Sequence, residues 1–475
     1  MTHLSALKEA GSLFLLFVAM AIAAPAQTFT TLVNFDGSNG SDPSLMSMVQ
    51  GKDGSLYGTT LGGGINFEGT AFKLTRTGKI RTLYNFCSQL NCSDGSNPWA
   101  GLLLAADGSF YGTTQFGGDV TCPFYNTCGT IFKITPEGTL TTLFSFDESD
   151  GELPISRVVQ ATDRELYGTT SQGGLSNECS QGCGTVFKMT TEGDLTTLHS
   201  FNGGDGQGTS AGLAEGTDGN FYGTTPGGGE FANGTVFKIT PQGALTTLHS
   251  FDIGDGANPK AGLIQGLDGN FYGATIGGGS GGWGVVFKMT PNGTVTILHN
   301  FSLTDGGEPY SLIQGTDGNF YGTTYYGGNF TCSQGCGTVF QLTPTGTLTT
   351  LHSFDSSDGS VPTGGLVQST NGTLYGTSSQ GGRYNSGTLF SLKMGLGPFV
   401  TFVHAAGKVG QTGGILGQGF TGTTSVSLNG IAATFTIVSD TYIKATVPAG
   451  ATTGYVTVTT PTGTLTSNVP FHVIP

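Results

Sequence analysis

The nine residues TDGNFYGTT occupy Thr217–Thr225, and the same nine residues return unchanged at Thr316–Thr324. The chain holds seven copies of this stretch in all, the others being KDGSLYGTT from Lys52, ADGSFYGTT from Ala106, TDRELYGTT from Thr162, LDGNFYGAT from Leu267 and TNGTLYGTS from Thr370. The tyrosines of successive copies lie 49 to 56 residues apart. A repeat of this period predicts a fold assembled from similar units.

Each unit divides into four apolar-rich runs, which are AGLAEG, NFYGTT, GTVFKIT and ALTTLHSF in the unit from Ser210 to Phe251. Short runs rich in aromatic and β-branched residues predict strands. Asp218-Gly219 joins the first two runs and Thr240–Gly243 joins the last two, and both are typical of tight turns. Four antiparallel strands per unit, repeated around a ring, predict a β-propeller.

The two ends of the repeat region supply one complete unit between them. The run TFTTLVNF at Thr28–Phe35 matches the fourth run of a unit but precedes the first set of three. The seventh unit, Gly364–Lys393, has only three runs. Because an open array would leave bare sheet edges, we expect the N-terminal strand to complete the last blade. The prediction is an all-β, seven-bladed β-propeller of four-stranded blades over residues 27–397.

The N-terminal residues predict export. Lys8 is followed by an apolar run at Leu13–Ala24 and by the small-x-small sequence Ala24-Pro25-Ala26, so residues 1–26 are predicted to be a signal peptide. No later run approaches the roughly 20 apolar residues of a spanning helix, which predicts no membrane insertion. We expect a secreted or cell-surface protein, with the periplasm as an alternative. The formal net charge of −14 disfavours nucleic acid and anionic lipid as partners.

The repeats resemble the Gloeo/Verruco (GloVer) tandem-repeat family, whose units look like DGNFYGTT followed by GTVFKITPQGALTTLHSF, as at Asp218–Phe251. The resemblance covers Thr28–Lys393 and implies export and a propeller-like repeat, but no particular reaction. The stretch Gly407–Thr462, which includes ATFTIVSDTYIKATVPAGATTGYVTVTT, is similar to IPT/TIG domains. That likeness implies a small immunoglobulin-like β-sandwich over residues 398–475, serving as a spacer or a binding module.

The eight cysteines occur as close pairs within loops, and in an exported chain such pairs predict disulfide bonds. The predicted bonds join Cys87 with Cys92, Cys122 with Cys128, Cys179 with Cys183, and Cys332 with Cys336. Zinc would need four converging ligands, but the two CSQGC pairs belong to the third and sixth units. The prediction is therefore four disulfides and no metal centre.

A second phrase, Asp-Gly-x-x-Pro, recurs in the links between units, at Asp94, Asp150, Asp255, Asp305 and Asp358. Carboxylates gathered on loops could bind Ca²⁺, which takes six to eight oxygen ligands. The phrase lacks the dense acidic spacing of a calcium loop, so a turn followed by the next strand is favoured. No cofactor is predicted, and Ca²⁺ stays the alternative.

The histidines do not form a catalytic set in the sequence. Four of them share one repeat position, at which other units carry Val33, Tyr84 and Phe144, so the position is interpreted as a packing site: His199, His249, His299 and His352. The remaining mature histidines, His404 and His472, have no evident partner. The inner runs carry Glu215, Gln265, Gln314 and Gln368, mostly amides. We expect no catalytic residue and no enzyme; the alternative is a secreted polysaccharide hydrolase or lyase on a propeller scaffold.

The variable links between strands should all emerge on one face of the disc, because the two tight turns of each unit emerge on the other. Loops on a rigid scaffold are where binding residues accumulate. Aromatic residues in those links are candidates to bind a glycan or an extracellular protein: Phe67, Phe124, Tyr125, Phe231, Trp283, Tyr325, Tyr326, Phe330 and Tyr384. We predict that Trp283, Tyr325, Tyr326, Phe124 and Tyr125 form the ligand site.

Overall fold

The computed structural model describes residues 27–44, 47–123 and 126–474. The predicted signal peptide lies outside the described residues. Apart from one 3-10 turn at Leu90–Cys92, the regular elements of the described residues are all strands. The chain is therefore all-β, as predicted.

Each repeat forms one four-stranded antiparallel sheet, and these sheets are numbered 1 to 7 in chain order within the described residues. The first strand, β1, is Thr28–Asn34; sheet 1 holds β2 (Val49–Gln50), β3 (Leu56–Thr60), β4 (Thr70–Leu74) and β5 (Ile80–Asn85); sheet 2 holds β6 (Leu103–Leu104), β7 (Phe110–Thr114), β8 (Thr130–Ile134) and β9 (Leu140–Ser145). Sheet 3 holds β10 (Val159–Gln160), β11 (Leu166–Thr170), β12 (Thr185–Met189) and β13 (Leu195–Ser200); sheet 4 holds β14 (Ala214–Glu215), β15 (Phe221–Thr225), β16 (Thr235–Ile239) and β17 (Leu245–Ser250). Sheet 5 holds β18 (Ile264–Gln265), β19 (Phe271–Thr275), β20 (Val285–Met289) and β21 (Val295–Asn300); sheet 6 holds β22 (Gly307–Gln314), β23 (Phe320–Tyr326), β24 (Thr338–Leu342) and β25 (Leu348–Ser353); sheet 7 holds β26 (Val367–Gln368), β27 (Leu374–Ser378) and β28 (Thr388–Lys393) together with β1.

The N-terminal strand completes the last sheet. β1 pairs antiparallel with β28, from Thr28 opposite Lys393 to Asn34 opposite Thr388. The prediction that this segment supplies the missing fourth strand is confirmed. Phe29 of β1 also stacks on the ring of His352 in sheet 6, with centroids 3.6 Å apart, so the strand ties two neighbouring sheets together.

The recurring Asp-Gly is a turn held by side chains. In sheet 4, Asp218 Oδ2 accepts hydrogen bonds from the Tyr222 hydroxyl at 3.0 Å and from Lys238 Nζ at 2.8 Å. Its Oδ1 accepts from the backbone N–H of Asn220 at 3.1 Å, and Gly219 follows with a φ of +73°. Positive φ favours glycine, which explains why glycine recurs at this position; sheet 3 places Arg164 there with the same φ of +73°.

The two aromatic residues of the repeated stretch bind adjacent sheets to each other. Phe221 stacks on Tyr167 of sheet 3 with centroids 4.0 Å apart, and Tyr222 stacks on Phe271 of sheet 5 at 3.9 Å. All four rings are buried. The stretch therefore recurs because each repeat needs the same contacts to the repeat on either side.

The last residues of the stretch are also constrained by packing within and between sheets. A Cβ at Gly223 would lie 2.5 Å from the ring of Phe237, so a side chain is excluded there. Thr224 Oγ1 donates to the carbonyl of Ala261 in the next sheet at 3.4 Å. The nine residues are a building unit, and their polar groups are used within the fold.

In six of the seven repeat sheets of the described residues, a glutamine or glutamate at the end of the inner strand joins the sheet to the turn of the preceding one. Its side-chain oxygen accepts a backbone N–H in six such contacts, which pair Gln50 with Thr370, Gln160 with Ala106, Glu215 with Thr162, Gln265 with Thr217, Gln314 with Leu267, and Gln368 with Thr316. The bond from Thr370 to Gln50, at 2.9 Å, places sheet 7 beside sheet 1. Sheet 2 is the exception, since it carries Leu104 at this position.

The C-terminal residues form a separate set of strands: β29 (Thr401–Phe402), β30 (Ala406–Lys408), β31 (Thr412–Leu416), β32 (Ser425–Leu428), β33 (Ile431–Ala432), β34 (Phe435–Ser439), β35 (Tyr442–Thr446), β36 (Val456–Thr460), β37 (Gly463–Thr466) and β38 (His472–Ile474). Two four-stranded sheets have the orders β29-β31-β35-β34 and β33-β32-β36-β37, and β30 pairs in parallel with β38. Val400, Phe420, Ile443 and Val458 are buried in their shared core.

These C-terminal strands pack against the turn side of the repeat sheets. Thr441 Oγ1 donates to the carbonyl of Lys52 at 2.8 Å, and His404 Nε2 lies 2.8 Å from the carbonyl of Ala161. Lys52 and Ala161 both lie at first-to-second-strand turns. The prediction that His404 lacks a partner is wrong, because its partner is 243 residues away in the chain.

The disulfide prediction is confirmed, as the bonds join Cys87–Cys92, Cys122–Cys128, Cys179–Cys183 and Cys332–Cys336. They close short rings in the links between strands. Across the described part of the chain, no helix has the length and apolar character required to cross a membrane.

Candidate ligand-binding site

The inner strands of the repeat sheets surround a cavity of about 600 Å³. Apolar side chains eight residues before the repeat tyrosines form its wall: Val49, Leu103, Val159, Ile264, Ile313 and Val367. Phe402, Val403 and Leu416 of the C-terminal strands also line it. Because those strands bind the turn side of the sheets, they form the floor of this channel, and its mouth faces the variable links.

Two positively charged side chains line the channel. Arg157 and Lys260 are the charged side chains among the described residues that line the cavity, and both are positive. Arg157 is half-buried, and among the described residues its guanidinium takes part in no hydrogen bond and no ion pair. Loss of hydration by burial lowers the pKa of Arg157 from its ordinary value.

Lys260 has an aromatic and an acidic neighbour. Its Nζ lies 6.0 Å from the centroid of the Tyr310 ring, within cation–π range. Burial raises the pKa of Glu308 above its ordinary value, and the nearby Lys260 charge partly opposes that rise. The channel mouth therefore holds Lys260, which has the carboxylate of Glu308 nearby, and Arg157, which has no neighbouring carboxylate among the described residues.

Aromatic side chains gather beside the channel mouth, in what we call the aromatic cluster: Trp283, Tyr310, Tyr325 and Tyr326. The ring centroids of Trp283 and Tyr326 are 6.1 Å apart, those of Tyr325 and Tyr326 are 4.5 Å apart, and those of Tyr310 and Tyr325 are 5.8 Å apart. All four side chains are half-buried. Tyr310 also lines the channel, so the cluster and the cavity are continuous.

Strand lengths explain why the cluster forms at sheet 6. β22 has eight residues and β23 has seven, whereas the inner strands of the other sheets have two residues and their second strands five. The longer hairpin carries Tyr325 and Tyr326 outward on a rigid support, next to Trp283 in the link that follows β19.

Three members of the cluster, Trp283, Tyr325 and Tyr326, were predicted from the sequence as ligand-site residues, and the structure brings them together. Tyr310 was not predicted. The sequence did contain a signal for it. The residue that follows the proline of the Asp-Gly-x-x-Pro phrase differs between units, being Trp99 in one and Tyr310 in another, although the phrase itself repeats. Phe124 and Tyr125 lie outside the described residues. The exposed Phe67, Phe231, Phe330 and Tyr384 sit on other links, and no aromatic contact in the described residues joins them to the cluster.

The repeated histidines are more than packing residues, which corrects the sequence interpretation. Each lies within hydrogen-bond distance of the aspartate six residues later, at 2.7 to 3.0 Å: His199 with Asp205, His249 with Asp255, His299 with Asp305, and His352 with Asp358. The constant six-residue spacing was the sequence signal. Because each pair belongs to a different repeat, the pairs hold four separate links.

The carboxylates considered for Ca²⁺ are occupied within their own links. Asp252 and Asp255 cap each other, since each Oδ1 accepts the backbone N–H of the other at 3.0 and 3.1 Å. Asp255 Oδ2 is the oxygen that faces His249. These contacts favour the turn interpretation of the phrase over a calcium loop.

Glu215, the inner-strand acid on which the enzyme alternative depends, is likewise engaged. Its carboxylate accepts hydrogen bonds from the backbone N–H of Thr162 at 3.1 Å and from Thr162 Oγ1 at 2.8 Å. Among the described residues, Cys122, Cys128 and Glu152 bring side chains that can bind a metal close together. Because the two cysteines are joined in a disulfide, Glu152 alone would remain as a ligand.

Solved structures similar to this chain share its fold. A virginiamycin B lyase from Staphylococcus aureus matches with 12% identity and a TM-score of 0.50 over 78% of this chain and 99% of its own. A fungal alcohol oxidase in complex with copper matches with 13% identity and a TM-score of 0.54 over 94% of this chain and 99% of its own. At such identities the likeness shows a propeller-like fold alone. The comparison with curated proteins gives no match.

A family model, the Gloeobacter/Verrucomicrobia repeat, matches residues 9–216, 87–267 and 213–437 in overlapping segments. The matched segments extend over the repeat sheets and into the C-terminal strands. The chain belongs to the Gloeobacter/Verrucomicrobia repeat family.

Proposed function

We propose that the protein is an exported binding module that holds a glycan at the aromatic cluster and the channel mouth, and that it catalyses no reaction. The observation that carries the proposal is the continuity of Trp283, Tyr326, Tyr325 and Tyr310 with a cavity of about 600 Å³. Cavities of roughly 300–1,000 Å³ are typical of small-molecule sites. A concave site of this size suits the end of a sugar chain better than the broad, flat contact of a protein partner.

The supporting architecture is proposed to be a closed, seven-bladed propeller over residues 27–397, followed by an IPT/TIG-like, immunoglobulin-like sandwich over residues 398–475. Support comes from the pairing of β1 with β28 and from the contacts of Gln50 with Thr370. The two facing four-stranded sheets of the C-terminal residues support the sandwich.

Export is part of the proposal. Disulfides persist in oxidising compartments, and this chain has four. Together with the predicted signal peptide at residues 1–26, they favour a secreted or surface-exposed protein, with the periplasm as the alternative.

The test is a glycan array probed with residues 27–475, followed by titration of the captured glycan. Trp283→Ala and Tyr326→Ala should each weaken binding by roughly 1–3 kcal/mol, because buried aromatic anchors dominate the free energy of such sites. Tyr384→Ala, on another link of the same side, is the matched control and should bind as the wild type does.

Thermal unfolding of each variant establishes that the fold is intact. Unchanged binding by both cluster variants would reject the site. Turnover of the captured glycan, lost in Glu215→Gln, would reject the binding module in favour of the hydrolase or lyase.

A further inference from the structure

The charge of the channel is opposite to the charge of the chain. The sequence has 31 Asp and Glu against 17 Lys and Arg, with a formal net charge of −14. The described side chains that line the cavity nevertheless include Arg157 and Lys260 and no carboxylate. A cationic lumen in an acidic protein favours anionic ligands over other small molecules.

Arg157 stands alone in its ring of equivalent positions. In each repeat, an inner-strand residue pairs with the repeat tyrosine, as Val159 pairs with Tyr167. Arg157 lies two residues before Val159, and every repeat has a residue at this equivalent position. The other repeats place small residues there: Ser47, Gly101, Gly212, Gly262, Ser311 and Gly365. The sheets therefore do not require an arginine, and a long side chain at this position projects into the lumen.

The guanidinium of Arg157 lacks a protein counter-charge. Arg157 is half-buried. A cation that is partly removed from water and has no partner is unfavourable, and folded proteins normally pair it. An arginine offers a planar fork of N–H donors that matches a carboxylate or a sulfate in a bidentate manner. A ligand anion would therefore supply the partner that the described residues do not.

Lys260 connects this cation to the aromatic cluster. It lines the same cavity as Arg157, and its Nζ lies over the ring of Tyr310, which contacts Tyr325. A sugar chain in contact with the cluster thus has a continuous route past Lys260 into the lumen.

We propose that the channel mouth is an acid-binding subsite, in which Arg157 binds the anionic group of an acidic sugar, a uronate or a sulfated unit, while the neighbouring sugars contact the aromatic cluster. The subsite rests on the proposed function and adds the charge class of the glycan. Lys260 contributes a second positive charge at the entrance.

The experiment titrates the mature protein with four probes: trigalacturonate, its neutral methyl ester, a sulfated galactose trisaccharide and inorganic sulfate. We expect at least one acidic trisaccharide to bind at least tenfold more tightly than the methyl ester, and binding to weaken as salt is added. Preference between the uronate and the sulfated sugar identifies the source of the anion. Binding of neither acidic sugar, or equal binding of the methyl ester, overturns the proposal.

The variants are Arg157→Gly, which introduces the residue that four other repeats carry, and Arg157→Gln. Both should bind the acidic sugar at least tenfold more weakly and lose the preference for acid over ester. Arg81→Gln, on the exposed outer strand β5, is the matched control and should behave as the wild type does. A preserved acid preference in both Arg157 variants overturns the assignment, as does inorganic sulfate that binds as tightly as the sulfated sugar.

Failure of the subsite and failure of the proposed function give different results. If only the subsite is wrong, glycan binding still depends on Trp283 and Tyr326 but ignores charge. If the proposed function is wrong, replacement of Trp283 or Tyr326 leaves binding of every probe unchanged.

Discussion

The fourth-strand position occupied by His199 in sheet 3 and by Phe144 in sheet 2 affects the loop aspartate six residues later. In sheet 3, burial is the largest single influence on Asp205 and favours its neutral form. The hydrogen bond with His199, the His199 charge and the backbone hydrogen bonds together outweigh burial, so the pKa of Asp205 is lowered. Sheet 2 has Phe144 at this position, and a phenyl ring offers no hydrogen bond. Burial raises the pKa of Asp150 to about 7. The backbone N–H of Asp147, which donates to Asp150 Oδ1 at 2.9 Å, opposes this rise, whereas the Asp147 charge adds to it.

We expect Asp150→Asn to stabilise the protein at pH 8 and to be neutral near pH 3. Between the unfolded pKa near 3.8 and the folded pKa of about 7, the unfolded chain has lost its proton while the native chain retains it, so wild-type stability falls as pH rises through that window. The gain should stay below about 1 kcal/mol because Asp150 keeps contact with solvent. Urea midpoints at both pH values measure it.

Asp205→Asn is the comparison for that prediction. It removes a carboxylate that His199 partners, so it should destabilise the protein at pH 8. If Asp150→Asn also lowers the urea midpoint at pH 8, the account of a carboxyl without a histidine partner is wrong.

Very short inner strands need help from side chains to stay in place. Most inner strands of the repeat sheets have two residues and pair with one neighbour only. The terminal glutamine compensates by bonding the turn of the preceding sheet; Gln368 accepts from the Thr316 N–H at 3.0 Å and donates to Thr316 Oγ1 at 2.9 Å. One side chain thus fixes both the strand end and the contact between sheets.

Gln368→Leu should destabilise the protein by about 1–3 kcal/mol, because the Thr316 N–H and hydroxyl lose their partner. Thr349→Val, at an exposed position of the outer strand β25, is the control and should change stability by less than about 0.5 kcal/mol. Chemical denaturation measures both variants. Equal midpoints for the two would show that the repeated glutamine contact does not stabilise the assembly.

An apolar contact joins the repeat sheets to the C-terminal strands, and it lies where the repeat pattern is broken. Leu104 replaces the inner-strand glutamine in sheet 2, and it packs in one cluster with Leu416 and Tyr442 of the C-terminal strands. Tyr442 is only 8% exposed, and Lys52 Nζ lies 5.2 Å from its ring centroid. The contact sets the floor of the channel, so it also bounds the proposed binding site.

Tyr442→Ala should weaken this contact by roughly 2–4 kcal/mol, since a large buried ring is removed. Hydrogen exchange should then rise at the turns around residues 51–55 and 105–109 while the repeat strands stay protected. Tyr455→Ala, at an exposed site of the same C-terminal strands, should leave exchange unchanged. Unaltered protection of both turns in Tyr442→Ala would mean that other contacts hold the floor.

The repeating parts of this protein could be predicted from the amino-acid sequence alone. The strands, their turns, the closing role of Thr28–Asn34 and the cysteine pairing could all be predicted, because each depends on short spacings that occur again and again. Three aromatic residues of the candidate site, Trp283, Tyr325 and Tyr326, were also accessible, since they interrupt the repeat in its variable links.

The roles of residues that depart from the repeat follow from tertiary packing. Arg157, Lys260 and Tyr310 belong to three different repeats, and only the arrangement of the sheets around one cavity brings them to its wall. His404 finds Ala161 across 243 residues in the same way. Such contacts cannot be predicted from spacing along the chain, because they depend on how whole sheets pack against one another. Strands and turns can be predicted, because they depend on residues only a few positions apart.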